Sequence, residues 1–362
     1  METDTRRQDF EKREIENYSK TLNKMQTAVV ILNWNGRHLL EQFLPSALEH
    51  LPDNAELIVA DNGSSDDSIA FLMEKYPTVR TIELDRNYGF AEGYNKALQQ
   101  VEADYYVLLN DDVEVSEGWI ERIVCYMESH SDVGIAQPKL LMLTQRDTFE
   151  YAGGAGGYID KLGYPFCRGR IFNTLERDEG QYNDCREIFW ASGAAMFVKS
   201  NVWKELGGLD GDFFAHMEEI DFCWRAKNKG YSVVCVPDSV VYHKGAGTLA
   251  KGSPFKTMLN FRNNLSMLYK NLPEKKRTST IIVRFILDWV AAFSFLLKGS
   301  WGEFTAVFKA HRQFKKNIPL LNTKRAQAGT QKQAKLYDRS ILVEYHIRRH
   351  RFFRELDNIN KI

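Results

Sequence analysis

The sequence is poor in cysteine, and its five, Cys125, Cys167, Cys185, Cys223 and Cys235, are scattered, odd in number and without C-x-x-C spacing. That excludes a disulfide framework and a thiolate zinc site, and fits a reducing compartment. The opening METDTRRQDFEKREIENYSK is polar and highly charged, with no apolar core for a signal peptide, so a cytoplasmic location is expected. The main apolar stretch of the C-terminal part, 281–297, is 17 residues long and is broken by Arg284 and Asp288, which makes it short and too charged for a membrane span. No net charge remains: 48 Lys and Arg balance 48 Asp and Glu. The balance is uneven along the chain, however. From Lys270 onward there are 20 basic and 7 acidic residues, against 28 and 41 before it. A basic tail on an acidic body calls for an anionic partner, such as a membrane surface, or for packing on its own or a neighbouring chain.

What is present is an ordinary globular composition, 44% hydrophobic and 27% charged, long enough at 362 residues for one large domain and an appendage. Residues 1–24 read as a polar leader. From Thr27 strands and helices alternate: TAVVILNW, RHLLEQFLPSALEHL, ELIVAD, SDDSIAFLMEKY, VRTIEL, AEGYNKALQQV, DYYVLLND, EGWIERIVCYMESH. The second helix is expected to be capped by Ser65 or Asp66. Repeated β-α units imply an α/β fold with a doubly wound, mostly parallel sheet, whose ligands bind beyond the C-terminal strand ends. Residues 149–185 are rich in glycine and aromatics and read as loops and short strands. WASGAAMFVK is a strand, HMEEIDFCWRAKNKG a helix stopped by glycine, and YSVVCVP and SVVYH are strands. After Pro254 the chain reads as helical and basic to its end. The organisation expected is a leader over 1–24, a catalytic domain over 25–272 and a basic helical region over 273–362.

Three strands end in polar groups: Asn33 and Asn35, then Asp61 and Asn62, then Asn110, Asp111 and Asp112. Turns favour Asn and Asp, so one such end means little, but three converge on one sheet edge. Adjacent carboxylates on a strand end ask for a cation, and Mg2+ or Mn2+ shared with substrate phosphates satisfies them; a solvated turn is the other reading. Glu218 and Glu219 precede Phe222 and Trp224 at a helix start. An apolar cleft rim would raise a carboxyl pKa toward that of a general base, whereas a charged first turn would be purely structural. His243 follows a strand and precedes a glycine-rich loop, where it could ligate a metal or be an ordinary surface residue. Gly89 and Gly93 open a helix and would let backbone approach an anionic group.

Taken in order, these segments resemble glycosyltransferase family 2, the inverting enzymes of GT-A fold, and within it the rhamnosyltransferase-like branch. VVILNWNG is similar to the family's first nucleotide-binding strand, VADNGSSDDS to its second-strand loop, RNYGFAEGYN to its RNxGFAxGxN segment and LLNDDV to its DxD-type metal motif. WASGAAM is similar to the acceptor-side segment, and GGLDGDFFAHMEEIDFCWR to the one that supplies the catalytic base. The resemblance spans roughly 27–270 and implies a GT-A fold with a C-terminal helical appendage. It also implies nucleotide-sugar contacts from Asn33, Asn35, Asp61, Asn87, Gly89, Asn95, Asn110, Asp111 and Trp190. Asp112 and His243 would hold Mg2+ or Mn2+, and Glu219 or Glu218 would be the base. Two departures stand out: Asn110 replaces the first DxD carboxylate, and Glu219 stands where the family commonly has Asp.

The implied reaction is a single in-line displacement that moves a sugar, with rhamnose the first guess, from a nucleoside diphosphate to a glycan or lipid-linked glycan in cell-surface polysaccharide synthesis. Thymidine and uridine diphosphate donors both stay open. A degenerate nucleotide-sugar-binding module and a nucleotidyltransferase are the alternatives; the absence of a glycine-rich basic loop after the first strand counts against the latter. In 281–297, Ile282, Phe285, Ile286, Trp289, Phe293 and Leu296 share one helical face opposite Arg284, Asp288 and Lys298. Such a helix either lies in a membrane interface, through 273–320 and on the inner face of the plasma membrane, or packs on the body or on a homodimer partner. No nucleic-acid-binding motif is present, and no nucleic-acid partner is expected.

Overall fold

The computed structural model describes residues 25–245, 253–328, 333–357 and 359. The polar leader expected over 1–24 and the glycine-rich loop beyond Gly245 therefore lie outside the described residues.

The β-branched run of β1 (Thr27–Asn33) is buried almost throughout and forms the middle of the central sheet. It pairs in parallel with β2 (Ala55–Asp61) on one side and β4 (Tyr105–Leu109) on the other, and β3 (Arg80–Glu83) extends β2. Beyond β4 comes β12 (Ala195–Lys199), which runs the opposite way, with Ala195 beside Leu109 and Lys199 beside Tyr105. β6 (Val133–Met142) follows, then β13 (Ser232–His243), parallel to β6. β5 (Val113–Val115) and β11 (Arg186–Glu187) complete the nine strands, both antiparallel to β13.

Helices cover both faces, because each has one apolar stripe to bury. α1 (Arg37–Glu49), α2 (Ser68–Lys75) and α4 (Trp119–Ser129) close one core, around Leu44, Phe71 and Trp119. α3 (Gly89–Leu98), α5 (Ser200–Leu206) and α6 (Glu218–Lys229) close the other, around Tyr94, Trp203 and Trp224. This is the expected GT-A arrangement of a doubly wound, mostly parallel sheet.

Local departures have physical causes. The N-cap of α2 is Asp67, not Ser65 or Asp66, and its side chain makes no capping bond; the Asp66 carboxylate, one residue earlier, accepts from Ser68 N and Oγ instead. The two strands expected on either side of Pro237 are one, β13, with a register shift between Val236 and Val240 that absorbs the missing proline donor. The glycine-rich stretch after Phe149 builds a second antiparallel sheet from β7 (Gly157–Ile159), β8 (Pro165–Cys167), β9 (Arg170–Ile171) and β10 (Thr174–Leu175).

Three long helices follow: α7 (Pro254–Asn271), α8 (Glu274–Leu297) and α9 (Trp301–Ala328). Part of the basic charge is spent on the acidic body. Lys270 pairs with Asp210 and Asp221, and Lys324 with Asp210 and Asp212. The chain is not helical to its end. Residues 333–357 are mostly irregular, with one six-residue α-helix, α10 (Ile341–His346), and a 3-10 turn over Phe353–Glu355, and return to the second sheet. There Phe353 enters an aromatic cluster with Tyr158, Phe166 and Tyr182, while Ile341 N donates to Asp160.

Candidate active site

The C-terminal ends of β1, β2 and β4 lie side by side, as their register requires, and bring Asn33, Asp61 and Asn110 to one edge. Asn33 Nδ2 donates to Asp61 Oδ1 at 2.8 Å, and Ser64 donates to Asp61 through both its Oγ and its backbone N. Asp61 is thus buried with three donors in place, one short of the roughly four that a carboxylate can accept. Asn35, at a φ of 53°, uses its Oδ1 to accept from Ser65 N at 2.7 Å and so ties the β1 loop to the β2 loop. A side-chain carbon on Gly36 would lie 2.5 Å from Asp111 Oδ2 and 2.6 Å from Asn33 Oδ1, so only glycine lets those two oxygens converge.

The third loop is organised from within. Asn62 donates to Asn87 Oδ1 and to the Gly89 carbonyl and accepts from Tyr88 N, while Asn87 accepts from Gly89 N at 2.7 Å. Gly89 has a φ of 76°, and a Cβ there would meet the Phe214 carbonyl at 2.6 Å. That carbonyl instead accepts from Phe90 N and Ala91 N, clamping the start of α3 to the segment before α6. Asn95 faces away from the edge, exchanging two hydrogen bonds with the Leu209 backbone. Trp190 is also interior, its indole N–H donating to the Tyr158 carbonyl at 2.9 Å.

Asp112 and His243 are brought together across the pairing of β5 with β13. Both are buried, and His243 Nε2 lies 3.0 Å from Asp112 Oδ1. Glu150 completes the line, its Oε1 lying 3.3 Å from His243 Nδ1. Burial would lower the imidazole pKa, but its bonds to Asp112 and Glu150 overcome this and push it up to about 10. The pocket is therefore built to hold positive charge. Asp111 is pushed up to about 7, first by burial and then by the Asp112 charge beside it. The donor chemistry, one carboxylate oxygen and one imidazole nitrogen, fits a divalent cation that takes its remaining ligands from a diphosphate. Among the described residues, no group of three or more His, Cys, Asp and Glu could hold an ion without such a partner.

The two glutamates open α6 behind Met217, which takes a φ of 73°. Glu218 is buried, its Oε2 has no hydrogen-bond partner, and burial together with the Glu219 charge holds its carboxyl well above the usual range. Glu219 is half-buried with its Oε2 likewise unpartnered, and burial pushes it up to about 7. The segment 192–194 joins them to the strand edge. Asn110 N donates to the Ala194 carbonyl at 3.0 Å, and a Cβ on Gly193 would sit 4.0 Å from Glu219 Cβ. A cavity of about 500 Å³ lies elsewhere, lined by Trp224, Leu272 and Lys276.

Sequence reasoning did not single out Glu150, Ser64, Gly36 or Asn263. Asn263, on α7, donates to the carbonyls of Phe213, Ala215 and His216 and so fixes the positive-φ segment that delivers Glu218 and Glu219.

Two family models match the chain: glycosyl transferase family 2 over residues 28–149 and glycosyl transferase family group 2 over 106–263. An N-acetylglucosaminyl-diphospho-decaprenol L-rhamnosyltransferase of Mycobacterium tuberculosis is 26% identical over 239 residues, which cover 61% of this chain and 76% of that protein. A low-salt glycan biosynthesis hexosyltransferase of Haloferax volcanii is 22% identical over 256 residues, 68% of this chain and 78% of its own. Among solved structures, S. aureus TarS 1–349 in complex with UDP-GlcNAc superposes with a TM-score of 0.54 at 15% identity, covering 91% of this chain and 93% of that one. GalNAc-T7 with UDP, GalNAc and Mn2+ gives a TM-score of 0.54 at 16% identity, covering 68% of this chain and 49% of that one.

Proposed function

Since the chain belongs to glycosyltransferase family 2 and is rhamnosyltransferase-like, we propose that it transfers a hexose, L-rhamnose first among candidates, from a nucleoside diphosphate to a hydroxyl of a glycan or lipid-linked glycan, with inversion. The single observation that carries this reading is the buried Asp112–His243 pair at the strand edge, linked by residues 192–194 to Glu219, whose Oε2 has no hydrogen-bond partner. The mycobacterial relative is by name a rhamnosyltransferase acting on a diphospho-decaprenol-linked sugar, which supports both the donor and the acceptor class.

Asp61 has one acceptor position left for a nucleobase N–H, with Asn33 and Ser64 holding its carboxylate in place. Asn35, Asn95 and Trp190 spend their polar groups on the protein and act as positioning residues. Asp112 and His243 would hold Mg2+ or Mn2+, which when bound supplies the positive charge that a departing diphosphate needs. Glu219 takes the proton of the acceptor hydroxyl as its oxygen attacks the anomeric carbon. The bond from that carbon to the phosphate oxygen breaks, and its electron pair leaves with the nucleoside diphosphate. Glu218 is buried more deeply, and burial together with the Glu219 charge opposes its ionisation, which supports Glu219 as the base.

The test is donor turnover with a panel of nucleotide sugars. At least one is expected to be hydrolysed or transferred with Mn2+ present, and Asp112→Ala is expected to lower that rate by about a hundredfold or more. Binding without turnover would make the chain a binding module. No binding of any nucleotide sugar would end the proposal.

A further inference from the structure

Helix α8 is inside out. Its described buried residues are Thr280, Arg284, Asp288 and Ala292, whereas Ile282, Ile286, Trp289, Val290, Phe293 and Leu297 are exposed, Leu297 by 89%. A helix on a protein in water normally buries the opposite stripe. The inward face is satisfied by specific partners. Arg284 Nη1 donates to the Leu162 carbonyl at 2.8 Å and to Asn264, Arg284 also contacts Asp288, and Asp288 Oδ2 lies 3.1 Å from His311 Nε2. The outward ridge runs on into α9, where Trp289 packs against Phe308, Phe293 against Phe304, and Trp301, 63% exposed, against Phe304.

We propose that this ridge docks the protein on an anionic lipid bilayer, with α8 lying in the plane of the interface. Three observations select that occupant. First, a contiguous apolar ridge of this size on a helix held by its polar face marks an interaction surface. Second, its flanks are cationic: Lys298, Lys309, Arg312 and Lys315 are exposed, with Arg312 and Lys315 on the same stripe as Phe308 and the Lys315 ammonium over the Phe285 ring. A second copy seated symmetrically would bring that cationic rim against itself. Third, two of the exposed ridge residues are tryptophans, the side chains that settle at the boundary between headgroups and acyl chains. By length and composition α8 is also the one described helix able to cross a membrane. Its buried Arg284 and Asp288 hold it to the body instead, so it lies along the surface. The docked face connects to the candidate site through α7. Asn264 accepts from Arg284, and the adjacent Asn263 holds the backbone leading into Glu218 and Glu219. A lipid-carried acceptor would thus be met at the surface from which it projects.

Vesicle sedimentation of the full chain tests this. Binding to vesicles of phosphatidylcholine with phosphatidylglycerol is expected, weakening as salt is raised, with little binding to phosphatidylcholine alone. The exposed double variant Ile286→Glu/Val290→Glu should lower partitioning by about a hundredfold, since each change removes buried apolar area and adds a charge. Arg312→Glu/Lys315→Glu should abolish the preference for the anionic lipid. Both variants should keep the wild-type melting temperature and donor turnover, which separates this outcome from the fate of the proposed chemistry. Vesicle binding that is absent, or unchanged by Ile286→Glu/Val290→Glu, overturns the proposal. So does a dimer in light scattering that this variant converts to monomer, which would assign the ridge to a second copy.

Discussion

Glu219 is reluctant to ionise, and both its proposed use and its cost follow from that. A carboxyl pushed up to about 7 by burial is deprotonated only as pH rises through that value, so turnover per donor-bound enzyme should climb with pH over the same range. The stability effect has the opposite sign. The folded-state pKa is raised above that of the unfolded chain, so between about 4.5 and 7 the folded protein binds a proton that the unfolded chain has lost. Stability therefore falls as pH rises through that window. Glu219→Gln removes the penalty along with the base. It should be inactive yet melt at a higher temperature than wild type, with a larger gain at pH 8 than at pH 5, as thermal unfolding at the two pH values would show. At this scale the sequence was legible where residue type and strand end coincide, as at Asp61, Asp112 and His243. Glu150 was not legible. It sits in the aperiodic glycine-rich stretch, and its meeting with His243 depends on a partner 93 residues away along the chain, which no local pattern encodes.

Among the elements, periodicity revealed which segments are strands and helices, because a buried strand reads as a β-branched run and a packed helix as an apolar stripe. It left two things open. Pro237 looked like a strand break, yet β13 carries on past it through a register shift. In α8 the spacing set Ile282, Ile286, Trp289 and Phe293 apart from Arg284 and Asp288, as they stand in the structure, but grouped exposed Lys298 with the buried pair and carried no information about which face points inward. The answer lies with Leu162, Asn264 and His311, far off in sequence, whose polar atoms make burial of Arg284 and Asp288 tolerable. α7 has the clearest mechanical role. Asn263→Ala removes the donations to the carbonyls of Phe213, Ala215 and His216, in the 213–217 stretch where Phe214, His216 and Met217 all take positive φ. A loss of about 2 kcal/mol is expected from thermal unfolding, together with a fall in turnover because Glu219 loses its fixed approach.

For the whole molecule, the last described stretch is tied to the core. Phe353 is 2% exposed among Tyr158, Phe166 and Tyr182, and its backbone N donates to buried Glu176 at 2.9 Å. Phe353→Ala should therefore cost about 3–5 kcal/mol, read from denaturant unfolding, although the residue lies near the end of the chain. The charge asymmetry visible in the sequence resolves the same way: Lys270 and Lys324 are consumed by Asp210, Asp212 and Asp221, while Arg312 and Lys315 remain on the surface.

One reversal in the sheet decides how such a molecule can change its trade. Because β12 enters antiparallel beside β4, its first residue stands next to the last residue of β4, and the segment leading into it arrives where the parallel strands depart. The loops proposed to greet the nucleotide and the loop proposed to greet the recipient thus share one rim while belonging to opposite ends of their strands. Either set can be rewritten by substitution or insertion without disturbing the other, so a change of recipient need not disturb the donor's seat.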